Sequence, residues 1–212
     1  MVGRQKMQEQ LNLNLLNRIS EELNKDLDPD KMLQRVIDLT VSHLNASTGS
    51  AMLFDNENRV SAYILQQEVS DDRASRIVGT VLTEGFAGWM LNNGQGDVIY
   101  DTHKDRRWVV YADQPYDVRS VIGTPLRRRQ RILGVLTLVH DEPYKFKKDN
   151  LPLLNAIAGQ AAIALENARL YANLADAKQE LERYSETLER KVQNRTRALA
   201  QKTRTIRIPL HM

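Results

Sequence analysis

The chain has 212 residues and a formal net charge of +3; 42% of its residues are hydrophobic and 27% are charged, which is typical of one folded domain with helical extensions. It contains no cysteine, which excludes disulfides, thiolate metal sites, cysteine nucleophiles and cofactors held by thioether bonds. No apolar run approaches the roughly 18 residues of a membrane span and no apolar signal-peptide core is present, so we expect a soluble cytoplasmic protein.

Two amphipathic helices are predicted before residue 45. The first covers Met7 to Leu27, and its apolar stripe comprises Leu13, Leu16, Leu23 and Leu27, with Leu15 and Ile19 beside it. It ends near Asp28, because a residue that precedes proline is disfavoured in helical geometry. Asp28 then caps a second helix, with Pro29 as its first residue and a buried face of Met32, Leu33, Val36, Ile37 and Leu44.

The middle of the chain has the alternating pattern of a sheet. Strands are predicted at residues 50–54, 59–66, 97–101, 120–126 and 132–139, with a short helix at 87–91. The last two strands are apolar on both faces, which indicates a sheet covered on both sides. The predicted fold is α+β, with an antiparallel sheet of five or six strands, the helices of residues 30–44 and 149–170 on one face, and coiled-coil helices at both chain ends. Residues 85–119, called here the roof segment, are predicted to cover the other face and to enclose a ligand cavity.

One long helix is predicted for the last third of the chain. From Asp149 to Arg207 there is no Gly after Gly159 and no Pro after Pro152, so an uninterrupted helix of roughly 90 Å is expected. Apolar residues repeat at heptad spacing along it and form an a/d seam, interrupted by Lys178, Ser185, Arg195 and Lys202. We expect this seam to pair in a homodimer, together with the N-terminal helix; its apolar members are Leu174, Leu181, Leu188, Val192, Leu199 and Ile206.

The order of several local patterns resembles the GAF domain family. They are Thr48-Gly-Ser-Ala-Met-Leu-Phe54, Gly85-Phe-Ala-Gly-Trp89, Asp105-Arg-Arg-Trp108, the hairpin from Val118 to Leu138 and the helix from Leu153 to Leu170. The resemblance implies an N-terminal helix at 1–28, a sensor domain at 29–171 and a signalling helix at 172–208. The segment 184–199 is similar to linkers that join such domains to histidine kinase or nucleotide cyclase modules, into which relatives normally continue.

What the resemblance implies is a non-catalytic sensor and dimerisation module of bacterial two-component or cyclic-nucleotide signalling, with an unidentified small-molecule ligand. The alternative is a dimerisation or adaptor protein that binds no ligand. The cofactor is unknown, but without cysteine the covalent bilin attachment and the sulfoxide-reducing redox chemistry of some relatives are excluded. Many relatives have Asp-Pro-Arg where this chain has Asp105-Arg106-Arg107, and the missing proline is expected to loosen that turn.

Candidate ligand residues lie in the roof segment. Aromatic faces offer stacking surface, and an arginine fork matches a phosphate or carboxylate. In the other interpretation the aromatics fill the core and the arginines are solvated. The candidates are Trp89, Asp101, Arg107, Trp108, Tyr111, Tyr116 and Arg119.

No catalytic or metal site is predicted. Asp101 and Asp105 are the candidate carboxylates for an enzyme, but a strand-end hydrogen bond for Asp101 and an ion pair between Asp105 and Arg107 are the favoured roles. His103 is the best-placed haem ligand, although a lone histidine in a polar loop is usually a surface residue. Seven basic residues between Arg190 and Arg207 and the tip at 127–129 raise nucleic acid or anionic lipid as partners. Without interleaved aromatics, a solvated basic linker is favoured, and no nucleic-acid partner is expected.

Overall fold

The fold is described from a computed structural model that covers residues 2–23, 25, 28–55, 57, 59–65, 82, 85–110 and 117–205. The chain divides into two compact units, Met1–Ala168 and Arg169–Met212. No helix within the described ranges is both long and apolar enough to cross a membrane.

Two helices precede the sheet: α1 spans Val2–Leu23 and α2 spans Pro29–Leu44. The predicted start of α2 is confirmed, because a side-chain oxygen of Asp28 accepts hydrogen bonds from the backbone N–H groups of Asp30 and Lys31. At the other end, Asn45 adopts a left-handed conformation with φ of 49° and donates its backbone N–H to the carbonyl oxygen of Val41.

Five strands form one antiparallel sheet within the described ranges: β1 Thr48–Phe54, β2 Val60–Leu65, β3 Asp97–Ile99, β4 Ser120–Arg128 and β5 Arg131–His140. Their order is β2-β1-β5-β4-β3, so the long hairpin of β4 and β5 lies inside the sheet and β3 lies at one edge. This arrangement confirms the predicted fold class, and it explains why β4 and β5 are apolar on both faces.

The sheet separates two apolar clusters. Ala51, Ile122 and Leu136 face the cluster formed with α1, α2 and the first part of the C-terminal helix α4, which spans Leu151–Thr205. Thr124 on the same face donates its hydroxyl to the Asn155 side-chain oxygen on α4, at 2.6 Å. The alternate residues of the strands face a second cluster beneath helix α3, Phe86–Asn93, as expected from the two-residue period of a strand; they include Met52, Val121 and Val135.

The buried side of helix α1 agrees only in part with the predicted stripe. Leu15, Ile19 and Leu23 are buried in the cluster with α2, whereas Leu13 is 55% exposed. The buried residues are spaced four apart and therefore lie along one side of the helix. Of the predicted stripe, Leu23 is buried and Leu16 packs against the same cluster, so the prediction is wrong only for Leu13; Leu27 lies outside the described residues.

The uninterrupted C-terminal helix is confirmed from Leu151 to Thr205, and Ile206 lies outside the described residues. Within the second unit, the apolar seam residues are largely exposed. Their exposed fractions are 65% for Leu174, 72% for Leu181, 58% for Leu188 and 63% for Val192. This row of exposed apolar residues agrees with the heptad pattern, although pairing with a second chain stays a prediction.

Candidate functional site in the roof segment

Helix α3 packs closely on the face of the sheet that the roof segment was predicted to cover. A Cβ added to Gly123 of β4 would lie 2.8 Å from Met90 and 2.9 Å from Phe86, both on α3. Any larger residue at position 123 would therefore require the side chains of Met90 and Phe86 to shift. At its C-terminus α3 is closed by Gly94, whose φ is 63°. Phe86 and Met90 thus occupy the space directly above β4.

Arg107 connects the roof segment to the edge strand β3. Its Nη1 donates to Asp97 Oδ2 at 2.8 Å, and its Nη2 and Nε donate to the two oxygens of Asp105 at 2.7 and 3.0 Å. Nη2 also lies 3.5 Å from the carbonyl oxygen of Val98. Each nitrogen of the guanidinium therefore already has an acceptor, and the predicted pair of Asp105 with Arg107 is confirmed.

The guanidinium also lies over two aromatic rings of α3. Its central carbon is 4.7 Å from the ring centroid of Trp89 and 5.3 Å from that of Phe86. The two rings stack with centroids 6.2 Å apart and an interplanar angle of 13°. A cation over aromatic faces is attracted by their quadrupoles. Arg107 therefore links α3, β3 and the following turn.

The turn at Asp105-Arg106-Arg107 is formed without proline. Asp105 Oδ1 accepts the backbone N–H of Arg107 at 3.0 Å, and the Asp105 carbonyl oxygen accepts the backbone N–H of Trp108 at 3.2 Å. An aspartate that bonds to the backbone two residues ahead is a common turn-forming device. These two contacts hold the turn in this chain, and the loosening expected from the missing proline stays a prediction.

A second polar cluster lies just after β3, around Asp101. This carboxylate is 6% exposed, and its Oδ1 accepts Arg119 Nη2 at 3.1 Å and the backbone N–H of His103 at 3.3 Å. Lys104 Nζ is 3.4 Å from Oδ2. The strand-end hydrogen bonding predicted for Asp101 is confirmed, and it caps the 3₁₀ turn Thr102–Lys104.

The ionic contacts set the protonation states of these groups. Hydrogen bonds from Arg107 hold the pKa of Asp105 below its usual value, against burial, which raises it. The carboxylates in turn raise the pKa of Arg107. For Asp101, burial raises the pKa, but the bonds from Arg119, His103 and Lys104 outweigh it, so the pKa lies below its usual value. Both aspartates are therefore ionised at neutral pH.

The structure brings the predicted ligand residues into two groups. Trp89 contacts Arg107, and both Trp89 and Trp108 pack against the apolar cluster beneath α3. Asp101 and Arg119 form the second group, while Tyr111 and Tyr116 lie outside the described residues. Whether any of the seven contacts a ligand stays a prediction.

Two neighbouring contacts complete the site. Sequence reasoning missed Asp97, because it precedes Arg107 by ten residues and only the position of β3 at the sheet edge brings the two together. His103, the haem candidate, lies at the surface with its Nε2 3.3 Å from Asp117 Oδ1. Among the residues with described positions, no group of three or more histidine, aspartate or glutamate side chains is arranged to hold a metal ion.

The comparison with known families gives the identity of this fold. The model of the GAF domain family matches residues 26–166. This chain belongs to the GAF domain family. The match includes α2, the five described strands and α4 as far as Glu166.

Several solved GAF-like structures share the fold at low sequence identity. The GAF domain of a phosphoenolpyruvate-protein phosphotransferase from Acinetobacter is 21% identical, with a TM-score of 0.60 over 76% of this chain and 97% of that one. The GAF domain of a putative sensor histidine kinase from Pseudomonas syringae pv. tomato is 19% identical, with a TM-score of 0.57 over 84% and 99%. A free methionine-R-sulfoxide reductase from Neisseria meningitidis, solved with its substrate, is 16% identical, with a TM-score of 0.62 over 76% and 91%. At these identities the likeness concerns the fold.

Proposed function

We propose that this GAF domain is a non-catalytic sensor and dimerisation module of a cytoplasmic bacterial signalling protein, acting in two-component or cyclic-nucleotide signalling. The observation that carries the proposal is helix α4. Its first part supplies Leu154, Ile157 and Ala161 to the core, and the same helix continues through the exposed heptad row. One element thus belongs both to the domain that would bind a ligand and to the surface that would pair with a second chain.

The proposed mechanism is a shift between two packings of α4. A ligand beneath the roof segment that binds one packing more tightly raises the population of that packing. The helix then transmits this preference to the seam, where Lys178, Ser185, Arg195 and Lys202 weaken any single pairing register. A weak seam suits this role, because a small difference in ligand affinity is then enough to change the pairing.

A non-catalytic role is supported by the chemistry of the available side chains. The chain offers no thiol for the sulfoxide reduction carried out by one of its structural neighbours. A general base needs a pKa near the working pH. Asp101 and Asp105 are instead held ionised by arginine, with pKa values below the usual one.

The second candidate is a dimerisation or adaptor module that binds no small molecule. It is favoured by two observations in the roof segment. Phe86 and Met90 fill the space above Gly123, and the nitrogens of Arg107 are already bonded to protein acceptors. In that case only one of the two proposed surfaces, the heptad row of α4, would be functional.

Native mass spectrometry of the purified full chain separates the two candidates. For a sensor we expect a mass increment that disappears under denaturing conditions, and a melting temperature that rises when the released compound is added back. Arg106→Gln, which changes an exposed arginine in the turn at residues 105–107, is the control and should retain the mass increment. A bare two-chain mass, together with no thermal shift across a panel of nucleotides and amino acids, would favour the ligand-free module.

A further inference from the structure

A concave surface lies at the tip of the β4–β5 hairpin, apart from the contacts of Arg107 and Asp101. This tip groove has a volume of about 900 Å³ and is lined by Phe54, Leu91, Asn92, residues 128–132 and Glu166. Cavities of roughly 300–1,000 Å³ are typical of small-molecule sites. Phe54, Leu91 and Ile132 give the groove an apolar part, and the hairpin gives it a charged part.

The charge of the tip is strongly positive and little compensated. Four of the five residues 127–131 are arginine. Arg127 Nη1 and Arg131 Nη2 donate to the backbone carbonyl oxygens of Gly94 and Asp55, which carry no net charge. Within the described part of the chain, Arg128 is the one member of this group with a carboxylate partner: its Nε lies 2.7 Å from Glu166 Oε2.

The backbone of the tip departs from what turn chemistry favours. Arg129 has a φ of 53°, in the left-handed region where glycine is preferred. It lies in the two-residue connection between the paired residues Arg128 and Arg131. Strain of this kind often persists where a side chain serves a binding site. An arginine at this position adds a positive charge to the rim of the groove at some conformational cost.

We propose that the tip groove binds a small organic anion, a phosphate or carboxylate group on an apolar body, and that this anion displaces Glu166 from Arg128. The apolar body would lie on Phe54, Leu91 and Ile132, and the anionic group would contact the arginine forks. The concave shape favours a small molecule over an extended acidic peptide. This inference does not depend on a ligand beneath the roof segment.

The Arg128–Glu166 pair suits displacement. The two side chains are 37% and 38% exposed, and exposed ion pairs contribute little to stability. An incoming anion therefore replaces Glu166 at small cost. Because Glu166 is on α4, binding would release a contact between the hairpin tip and the helix that we propose as the signalling element.

Calorimetric titration of the full chain with phenyl phosphate tests the proposal. Inorganic phosphate reports on the anionic half of phenyl phosphate and phenol on its aromatic half, while hexaglutamate represents an acidic peptide. We expect phenyl phosphate to bind more tightly than either half. Arg128→Gln should weaken it about tenfold, whereas Arg106→Gln, which changes an exposed arginine outside the groove, should leave it unchanged.

Two further variants separate binding from folding. Glu166→Gln removes the competing carboxylate and should tighten phenyl phosphate by roughly threefold, which a purely structural ion pair would not do. Arg129→Gly should weaken binding while the melting temperature stays equal or rises, because the left-handed turn is relieved. The proposal is overturned if no probe binds, if hexaglutamate alone binds, or if Glu166→Gln fails to tighten phenyl phosphate.

Discussion

A chain with both Leu181→Asp and Leu188→Asp is expected to be monomeric at concentrations where the unchanged chain is a dimer. Both positions belong to the same heptad site, so a paired seam would bury four carboxylates, two from each chain. Burial of an unpaired carboxylate costs several kcal/mol after relaxation. We therefore expect the dissociation constant to rise by more than about a thousandfold, which corresponds to about 4 kcal/mol.

Light scattering coupled to size-exclusion chromatography measures this change directly. The matched control is Gln179→Asp with Gln193→Asp, which adds the same charge at exposed positions beside the seam. The control should stay dimeric and both variants should keep the circular dichroism of a folded domain, because the core residues of α4 end at Ala168. Dimers that survive both seam aspartates would show that these leucines are not the interface.

Arg107→Ala is expected to lower the free energy of unfolding by about 2–4 kcal/mol, the usual loss when one partner of a partly buried ion pair is removed. The change leaves the carboxylates of Asp97 and Asp105 without their shared cation, and it removes the cation from the faces of Trp89 and Phe86. Urea denaturation of the full chain measures the loss. Arg106→Ala, one residue away and exposed, should change stability by less than about 0.5 kcal/mol.

A compensated variant distinguishes the ionic role of Arg107 from a simple packing role. Replacing Arg107 with Met together with Asp97→Asn and Asp105→Asn removes the cation and both carboxylates at once. Because no charge is then left without a partner, most of the lost stability should return. If the triple variant is no more stable than Arg107→Ala, then stacking on Trp89 and Phe86, rather than charge, is what Arg107 contributes.

Local signals in the sequence were sufficient to predict most of the sheet and the helices. The alternation in β4 and β5 comes directly from the strand period, and Asp28 before Pro29 is a cap whose hydrogen bonds depend only on neighbouring residues. The C-terminal helix was predictable because nothing in its sequence terminates it before Pro209. Each of these features is determined within a few residues of the chain.

The details of the roof segment could not be predicted in the same way, because they depend on which strands become neighbours. Arginine is a common anion-binding residue, which is why Arg107 was a ligand candidate. The position of β3 at the sheet edge, however, places Asp97 Oδ2 2.8 Å from Arg107 Nη1, so the guanidinium already has an acceptor within the chain. The buried stripe of α1 is a similar case. Leu13 and Leu15 are equally apolar, and only packing against α2 makes Leu15 the buried one.

Cross-linking through single introduced cysteines tests most directly whether the heptad row of α4 pairs with the same row of a second chain. The chain has no cysteine, so Leu188→Cys and the off-seam Arg183→Cys each provide one thiol. A parallel paired seam brings the two copies of position 188 within disulfide distance and keeps those of position 183 apart. The account predicts rapid formation of a disulfide-linked dimer for Leu188→Cys alone. Equal yields at the two positions, or none at 188, would contradict a parallel pairing of this row.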